Sequence, residues 1–352
     1  MLKTTKLEKE NILMVFVYLS SFTKRDIEIL KKKYQVDSYQ FNPSKKYLIA
    51  LTFIKQLFFL ARKIHSFNVI ICQSSGYHSI LPVIFGKIFN IPVVIIAIGT
   101  DCIKLPEINY GAHRKKILSW VTNFSFNNSK LILPVHKSLI NSEYNYQNVK
   151  YKNQGIRAFN KDLKTEIIEL VNGYDTKKWV ITNKNRTKNS FLTVAAVIDE
   201  TRYYVKGIDL IVKIAEKFPE YRFTIVGELL LKETFPKNIT FIDQVTQNEL
   251  VNIYNNHEFY LQLSMTEGFP NALCEAMLCG CIPIGSNVAG IPDIIGKYGY
   301  ILYKKDFNDL IALFIKLNKN TISSNQVREQ ICNNFAIAKR EKEIHALLKE
   351  LK

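Results

Sequence analysis

Runs of uninterrupted apolar residues alternate along this chain with longer stretches in which apolar residues recur every three or four positions. The runs at 12–19, 68–72, 93–97 and 131–133 lack a polar face, as strands buried on both sides require. Residues 36–41 alternate and predict a further strand. Between these runs lie helical patterns. Thr23 with Asp26 reads as a capping box opening a helix through Lys33. Ile49, Phe53, Leu57 and Leu60 mark a helix over 45–65, punctuated by Lys55, Arg62 and Lys63. Residues 77–89 predict a helix with Pro82 near its first turn.

The alternation pauses at Asn172-Gly-Tyr-Asp175, which is turn chemistry, and at the polar, basic run 182–189. It then resumes. Strands are expected at 191–197, 222–226, 239–242, 259–263 and 282–285, and helices at 208–218, 248–255, 271–278, 306–318 and 327–351. Short apolar strands alternating with helices indicate βαβ units and parallel sheets. The expected organisation is a first domain over 1–175, a linker over 176–190, a second domain over 191–335 and a terminal helix over 336–352 that packs back towards the first domain.

Composition narrows this reading. The 352 residues suit two domains, and 47% hydrophobic with 22% charged residues suits packed ones. The net charge of +17 is uneven: residues 1–175 hold 25 Lys and Arg against 12 Asp and Glu, and the rest 23 against 19. A basic first half suits an anionic partner, whether membrane surface, lipid phosphate or nucleic acid. The plainer alternative is solvated basic faces in a Lys- and Asn-rich chain. The six cysteines are scattered, most of them in apolar runs, and fit buried thiols in a reducing cytoplasm. Cys279-Gly-Cys281 has no second ligand pair beside it, which argues against zinc. No signal peptide and no run of about 20 apolar residues is seen, so any membrane contact is expected to be peripheral. Residues 45–63 are amphipathic and cationic, and 113–120 set three basic residues beside Trp120; both suit anionic headgroups. The alternative for the first segment is a helix that faces the core.

In an open α/β sheet, ligands bind beyond the carboxyl ends of the strands. The richest such place here runs from Ser264 to Gly280. Gly268 permits a tight turn, and Pro270 suits a first helical turn. Main-chain amides around Gly268, Asn271 and Ala272 would then face the strand end, a natural diphosphate site. Glu267 in the loop and Glu275 in the second helical turn bracket it, as carboxylates suited to sugar and ribose hydroxyls. Glu275 sits among Ala272, Leu273, Ala276 and Met277, where a carboxylate needs partners.

The segment Thr266-Glu-Gly-Phe-Pro-Asn-Ala-Leu-Cys-Glu-Ala-Met277 resembles the signature of the family-4 retaining glycosyltransferases, also called glycosyl transferases group 1. Gly280-Cys-Ile-Pro-Ile-Gly-Ser286, Gly290-Ile-Pro-Asp293, Lys206-Gly207-Ile-Asp209, Val226-Gly227 and Asn172-Gly173-Tyr-Asp175 are similar to further landmarks of that family. The resemblance spans most of 172–300 and is looser before it. It implies a GT-B fold: two Rossmann-like, doubly wound α/β domains facing across a cleft. It implies that Glu267 contacts hydroxyls of the transferred sugar, Glu275 the ribose, and Lys206 the leaving diphosphate. Gln244 and Val245 fall where the family contacts the base, and Gly227, Gly268, Phe269, Asn271 and Ala272 complete the donor side. There is no Asp-x-Asp, in keeping with the metal-independent chemistry that the family implies.

Two departures stand out. Where the family has a Gly-Arg pair, this chain has Ala196-Val197, leaving Arg202 as the candidate second cation. After the strand at 93–97 the family often has His; here the chain reads Ile98-Gly99-Thr100-Asp101, so Asp101 becomes the candidate for orienting the acceptor, with Gly99, Thr100 and His78 beside it. The expected partners are a nucleotide-sugar donor, a glycan or lipid-linked acceptor and an anionic membrane surface, with no nucleic acid and no cofactor. The expected reaction is transfer of a hexose-type sugar with retention, in cell-surface polysaccharide assembly. The rival readings are a GT-B epimerase acting on the NDP-sugar alone and, in another class, a basic nucleic-acid binder. The second lacks any helix-turn-helix, zinc module or RNP-like strand. A Rossmann dehydrogenase is disfavoured because no G-x-G-x-x-G follows the first strand.

Overall fold

A computed structural model describes residues 10–42, 48–317, 319 and 321–351. The first residues of the helix expected over 45–65 therefore lie outside the described residues, and the helix is seen over Ile49–Lys63.

The apolar runs form two parallel sheets. In the first, β1 (Asn11–Phe16), β2 (Gln35–Gln40), β3 (Val69–Gln73), β4 (Val93–Ala97) and β5 (Leu131–Pro134) are central. A small antiparallel pair follows, β6 (Ser142–Glu143) with β7 (Asn153–Gln154), and then β8 (Glu166–Ile167). The order is β2-β1-β3-β4-β5-β8, every pair parallel. The second sheet comprises β9 (Thr187–Ile198), β10 (Arg222–Leu229), β11 (Ile239–Ile242), β12 (His257–Gln262), β13 (Ile282–Ser286) and β14 (Tyr300–Leu302). Its order is β11-β10-β9-β12-β13-β14, again all parallel. β3, β4, β5 and β13 are buried at every position, which explains why their sequences show no alternation. This is the GT-B architecture, two doubly wound domains across a cleft.

Strand order reverses between β1 and β3 in the first sheet and between β9 and β12 in the second, so each domain has a crevice at its carboxyl edge. The two edges face each other. The loop after β4 meets the loop after β12, because a Cβ on Gly268 would lie 2.0 Å from the Ile98 carbonyl oxygen.

Several local expectations need correction. The first helix, Ser21–Lys31, is capped by Ser20, whose hydroxyl accepts from the Thr23 amide; Thr23 and Asp26 are buried within the helix. The expected linker ends early, since β9 begins at Thr187 and pairs with β12 there. The long helix expected over 327–351 is two, Ser324–Asn334 and Ile337–Glu350. The break has a cause: the Tyr174 amide donates to the Phe335 carbonyl, and the Ile337 amide donates to the Tyr174 carbonyl, so an incoming strand of chain splits the helix. Gly173 allows the crossing, since a Cβ there would lie 2.8 Å from the Ile337 Cα. Beyond it the terminal helix lies against the first domain. Arg340 forks onto Asp26 at 2.7 and 2.8 Å, both side chains wholly buried, and also donates to the Leu170 and Val171 carbonyls.

Candidate active site

The switch point of the second sheet builds the site. β9 runs into the short helix Glu200–Val205, which delivers Lys206; β12 runs into the loop that carries Glu267. Gly207, at φ 71°, lets the chain turn against Leu263, where a Cβ would sit 2.1 Å from that carbonyl oxygen. Lys206 Nζ thereby reaches Glu267 Oε1 at 2.6 Å. Ser264 Oγ (2.9 Å) and Gln262 Nε2 (3.1 Å) donate to the same oxygen. Burial pulls the Lys206 ammonium down, but the Glu267 carboxylate outweighs it and holds the group above its usual value. The pair is thus a fixed charge couple at the cleft, with the lysine cationic.

The loop leads to Asn271–Leu278, a helix whose first turn has no side-chain cap. Pro270 stands just before the helix rather than inside it, with φ −70° and ψ 113°. The Asn271 side chain is turned away from capping: its oxygen accepts from Arg25 (3.1 Å) and from the Tyr174 hydroxyl (2.9 Å). The first amides of this helix remain open towards a cavity of about 370 Å³. Lys206, Glu267, Gly268, Phe269, Asn271 and Ala272 line it from one domain, and Phe22, Ile98, Val135 and Asn172 from the other side of the cleft. Two larger hollows, of about 650 and 700 Å³, open at the amino ends of the two sheets, where this fold class does not place ligands.

Glu275 is buried one turn further on. Burial lifts its carboxyl to about 7, while Arg25 and Lys178 pull it down. It does not line the cavity among the residues just named; it stands behind the helix's first turn, within the field of the first-domain Arg25. Gln244 is exposed and donates at 3.0 Å to the carbonyl of Ala196, a residue that lines the cavity. Gly227, at φ 147°, would put a Cβ 1.6 Å from the Ala195 carbonyl oxygen; its observed work is to let β10 lie against the bulge in β9. The Phe269 ring faces Tyr174 (6.2 Å), His136 (6.1 Å) and Phe335 (5.2 Å), packing the crossover. Arg202 is exposed and ion-paired with Asp199 on its own turn, and its charge is also felt at Lys206.

The first domain departs most from expectation. The Asp101 carboxylate is buried and accepts from the Ser75 (2.9 Å), Ile98 (3.2 Å) and Gly99 (3.0 Å) amides. Burial raises it, and these amides oppose the rise. It ties the loop after β4 to the loop after β3. His78 is likewise buried, with Nε2 at 2.8 Å from the Gln73 carbonyl oxygen, and burial lowers it. It closes a turn and does not reach the cleft. Thr100 is exposed and meets the Tyr110 hydroxyl at 2.9 Å.

Arg25, Tyr110 and Gln262 have no place in the sequence expectations, and Ser264 enters them only as the start of the segment Ser264–Gly280. Gln262 and Ser264 flank a motif and were findable by distance along the strand. Arg25 and Tyr110 arrive from another domain and had no local signal. On the far side of the crossover His136 Nε2 lies 3.1 Å from Asp293, which Lys137 also contacts at 2.7 Å.

A parallel two-sheet fold with a cation–carboxylate pair and an uncapped helix at the switch point is of the GT-B class. Residues 176–333 match the family model described as Glycosyl transferases group 1. Among curated proteins, the chain is similar to the phosphatidylinositol N-acetylglucosaminyltransferase gpi3 subunit of Schizosaccharomyces pombe, 26% identical over 139 residues, 36% of this chain and 30% of that one. The chain thus spans about a third of the length of that relative. Among solved structures, sucrose-phosphate synthase from Thermosynechococcus elongatus superposes with a TM-score of 0.75 at 12% identity, covering 97% of this chain and 99% of that one. Anabaena Alr3699/HepE in complex with UDP and glucose gives a TM-score of 0.73 at 14% identity, covering 97% and 100%. At such identities these likenesses show the fold.

Proposed function

We propose that this protein is a retaining glycosyltransferase that moves a hexose-type sugar from a nucleoside-diphosphate sugar to a glycan or lipid-linked acceptor, in cell-surface polysaccharide assembly. The observation that carries the reading is the Lys206–Glu267 pair set before the open amides of helix Asn271–Leu278. Charge builds on the leaving diphosphate as the glycosidic bond breaks. A fixed ammonium and a helix amino end stabilise that charge without reorganisation, and Lys206 supplies here what a metal ion supplies elsewhere. Glu267, oriented by Ser264 and Gln262, accepts from hydroxyls of the sugar. Glu275 serves the ribose. Both carboxylates lie on the same domain and loop–helix unit, so they do not flank the scissile bond as a glycosidase pair must. Attack then comes from the acceptor on the face that the diphosphate leaves. Domain closure excludes water, so that transfer outruns hydrolysis.

The acceptor side is proposed to lie at an anionic membrane surface, with the protein on its cytoplasmic face. Helix Ile49–Lys63 packs Phe53, Gln56, Phe59 and Leu60 onto the first domain, while on its other side Leu51, Ile54, Leu57 and Phe58 are exposed beside Lys55, Arg62 and Lys63. Ile117 and Trp120 are exposed next to Lys115 and Lys116. Such faces suit headgroups. The S. pombe relative is named for transfer to phosphatidylinositol, itself a membrane lipid. Among the described residues no helix is long and apolar enough to cross a membrane.

The test is a thermal-shift screen against UDP, GDP, ADP and their hexose derivatives. A ligand that binds only the folded state raises its melting temperature. No shift with any of them would overturn the reading. Incubating the best NDP-sugar alone then separates transfer from epimerisation, which needs no acceptor. Liposome pelleting at low and high salt tests the membrane face.

A further inference from the structure

The loop after β4 is built with more care than a connector needs. Gly99, at φ 131°, starts it; Leu105 and Tyr110 close it by exchanging main-chain hydrogen bonds of 3.0 and 2.9 Å. Asn109 takes a left-handed conformation at φ 55°. Gly111, at φ 94°, passes so close to Ile103 that a Cβ would lie 2.1 Å from its carbonyl oxygen. The turn Pro106–Ile108 rests on helix Glu200–Val205 of the second domain, the helix that ends at Lys206. These constraints fix one side chain. The Tyr110 ring is mostly covered, while its hydroxyl meets the exposed Thr100 Oγ1 at 2.9 Å. Thr100 follows Gly99, whose Cβ position is 3.1 Å from the Gly268 nitrogen. Tyr110 is held above its usual value, first by burial, and it feels the charges of both Glu267 and Lys206.

We propose that the Tyr110 hydroxyl, oriented by Thr100, is the first domain's hydrogen-bonding contact to the sugar carried by the nucleotide, facing it from the side opposite Glu267. Thr100 is the positioning residue, because its hydroxyl takes one of the two hydrogen bonds that the phenol can make and leaves the other for the ligand. The proposal rests on the functional reading above and deepens it by naming what closes the sugar subsite from the first domain. Specificity among hexoses follows, since a site built to hydrogen-bond a hydroxyl discriminates against a sugar that lacks it.

The experiment compares wild type, Tyr110→Phe and Thr100→Val by calorimetric titration. The probes are the nucleoside diphosphate that best stabilises the wild type and its hexose derivative. Tyr110→Phe is expected to keep its affinity for the nucleoside diphosphate within about two-fold and to lose about five-fold or more for the NDP-hexose, the range of one neutral hydrogen bond. Thr100→Val is expected to move the same way by less. Equal losses for both ligands, or no loss for either, would overturn the role of Tyr110 and leave the functional reading intact. A wild type that binds neither ligand would overturn both. Because Thr100 is exposed, its substitution keeps the test informative even if the phenylalanine variant folds poorly.

Discussion

Gly99 of the first domain and Gly268 of the second meet main chain to main chain across the cleft, with room for no side chain on either. A Cβ at Gly268 would sit 2.0 Å from the Ile98 carbonyl oxygen. The loop after β12 and the loop after β4 can lie this close because Gly268 lacks a Cβ and Gly99 takes φ 131°. Gly268→Ala should therefore prop the cleft open. Turnover is expected to fall at least about ten-fold, as misplacement of reacting groups does, while the melting temperature changes by only a few degrees. Unaltered turnover would show that catalysis does not use this closure.

Lys206 and Glu267 should behave as a functional couple. Lys206→Ala removes the cation but leaves Ser264 and Gln262 to satisfy Glu267, so the fold persists. Glu267→Gln keeps the shape and loses the charge. Each is expected to lower kcat by about 10²–10³, the range for removing one preorganised electrostatic group. Steady-state rates for the two single variants and the double variant check this. A double variant no worse than either single marks groups that act as one unit.

Glu275 gives the protein a signature in pH. Its carboxyl is raised to about 7 in the folded chain, against 4.5 when unperturbed. A raised carboxyl means that the folded state holds its proton longer than the unfolded one. Stability from this group is therefore present below about pH 4.5 and falls as pH rises towards about 7. Glu275→Gln should flatten that slope in denaturation curves taken between pH 5 and 8. Nucleotide affinity should move oppositely in the wild type, growing as the carboxylate forms near pH 7, and should be level with pH in the variant.

Asp26 and Arg340 form a wholly buried pair. Asp26→Ala leaves the buried guanidinium with main-chain carbonyls but no counter-ion and is expected to cost about 3–5 kcal/mol, measured by urea denaturation. Replacing both together with Leu and Met should recover most of that loss. If the single and double variants are equally unstable, packing rather than charge holds the terminal helix.

Much of this was legible along the chain. Uninterrupted runs such as Val93–Ala97 placed the strands, because burial on both faces leaves no other composition. The segment from Thr266 to Met277 placed the loop and helix of the site, because the turn, the proline and the two glutamates are neighbours in sequence. What failed was whatever tertiary contact decides. Asp101 and His78 looked available to ligands and are instead consumed by main-chain groups. Arg202 looked like the missing cation, yet Asp199, three residues earlier, claims it. Tyr110 carried no signal at all, since its meaning comes from Thr100 ten residues away and from a domain that begins much later. The split of the last helix was invisible for the same reason: Tyr174 makes it, from the other end of the domain junction.

The clasp between Asp26 and Arg340 joins positions 314 residues apart. During synthesis the first domain emerges without the cation that its buried acid needs, and waits for helix Ile337–Glu350 to leave the ribosome. Until then its opening helix has no counter-ion. A chain released before Arg340 should be prone to degradation, because the buried Asp26 then lacks its counter-ion.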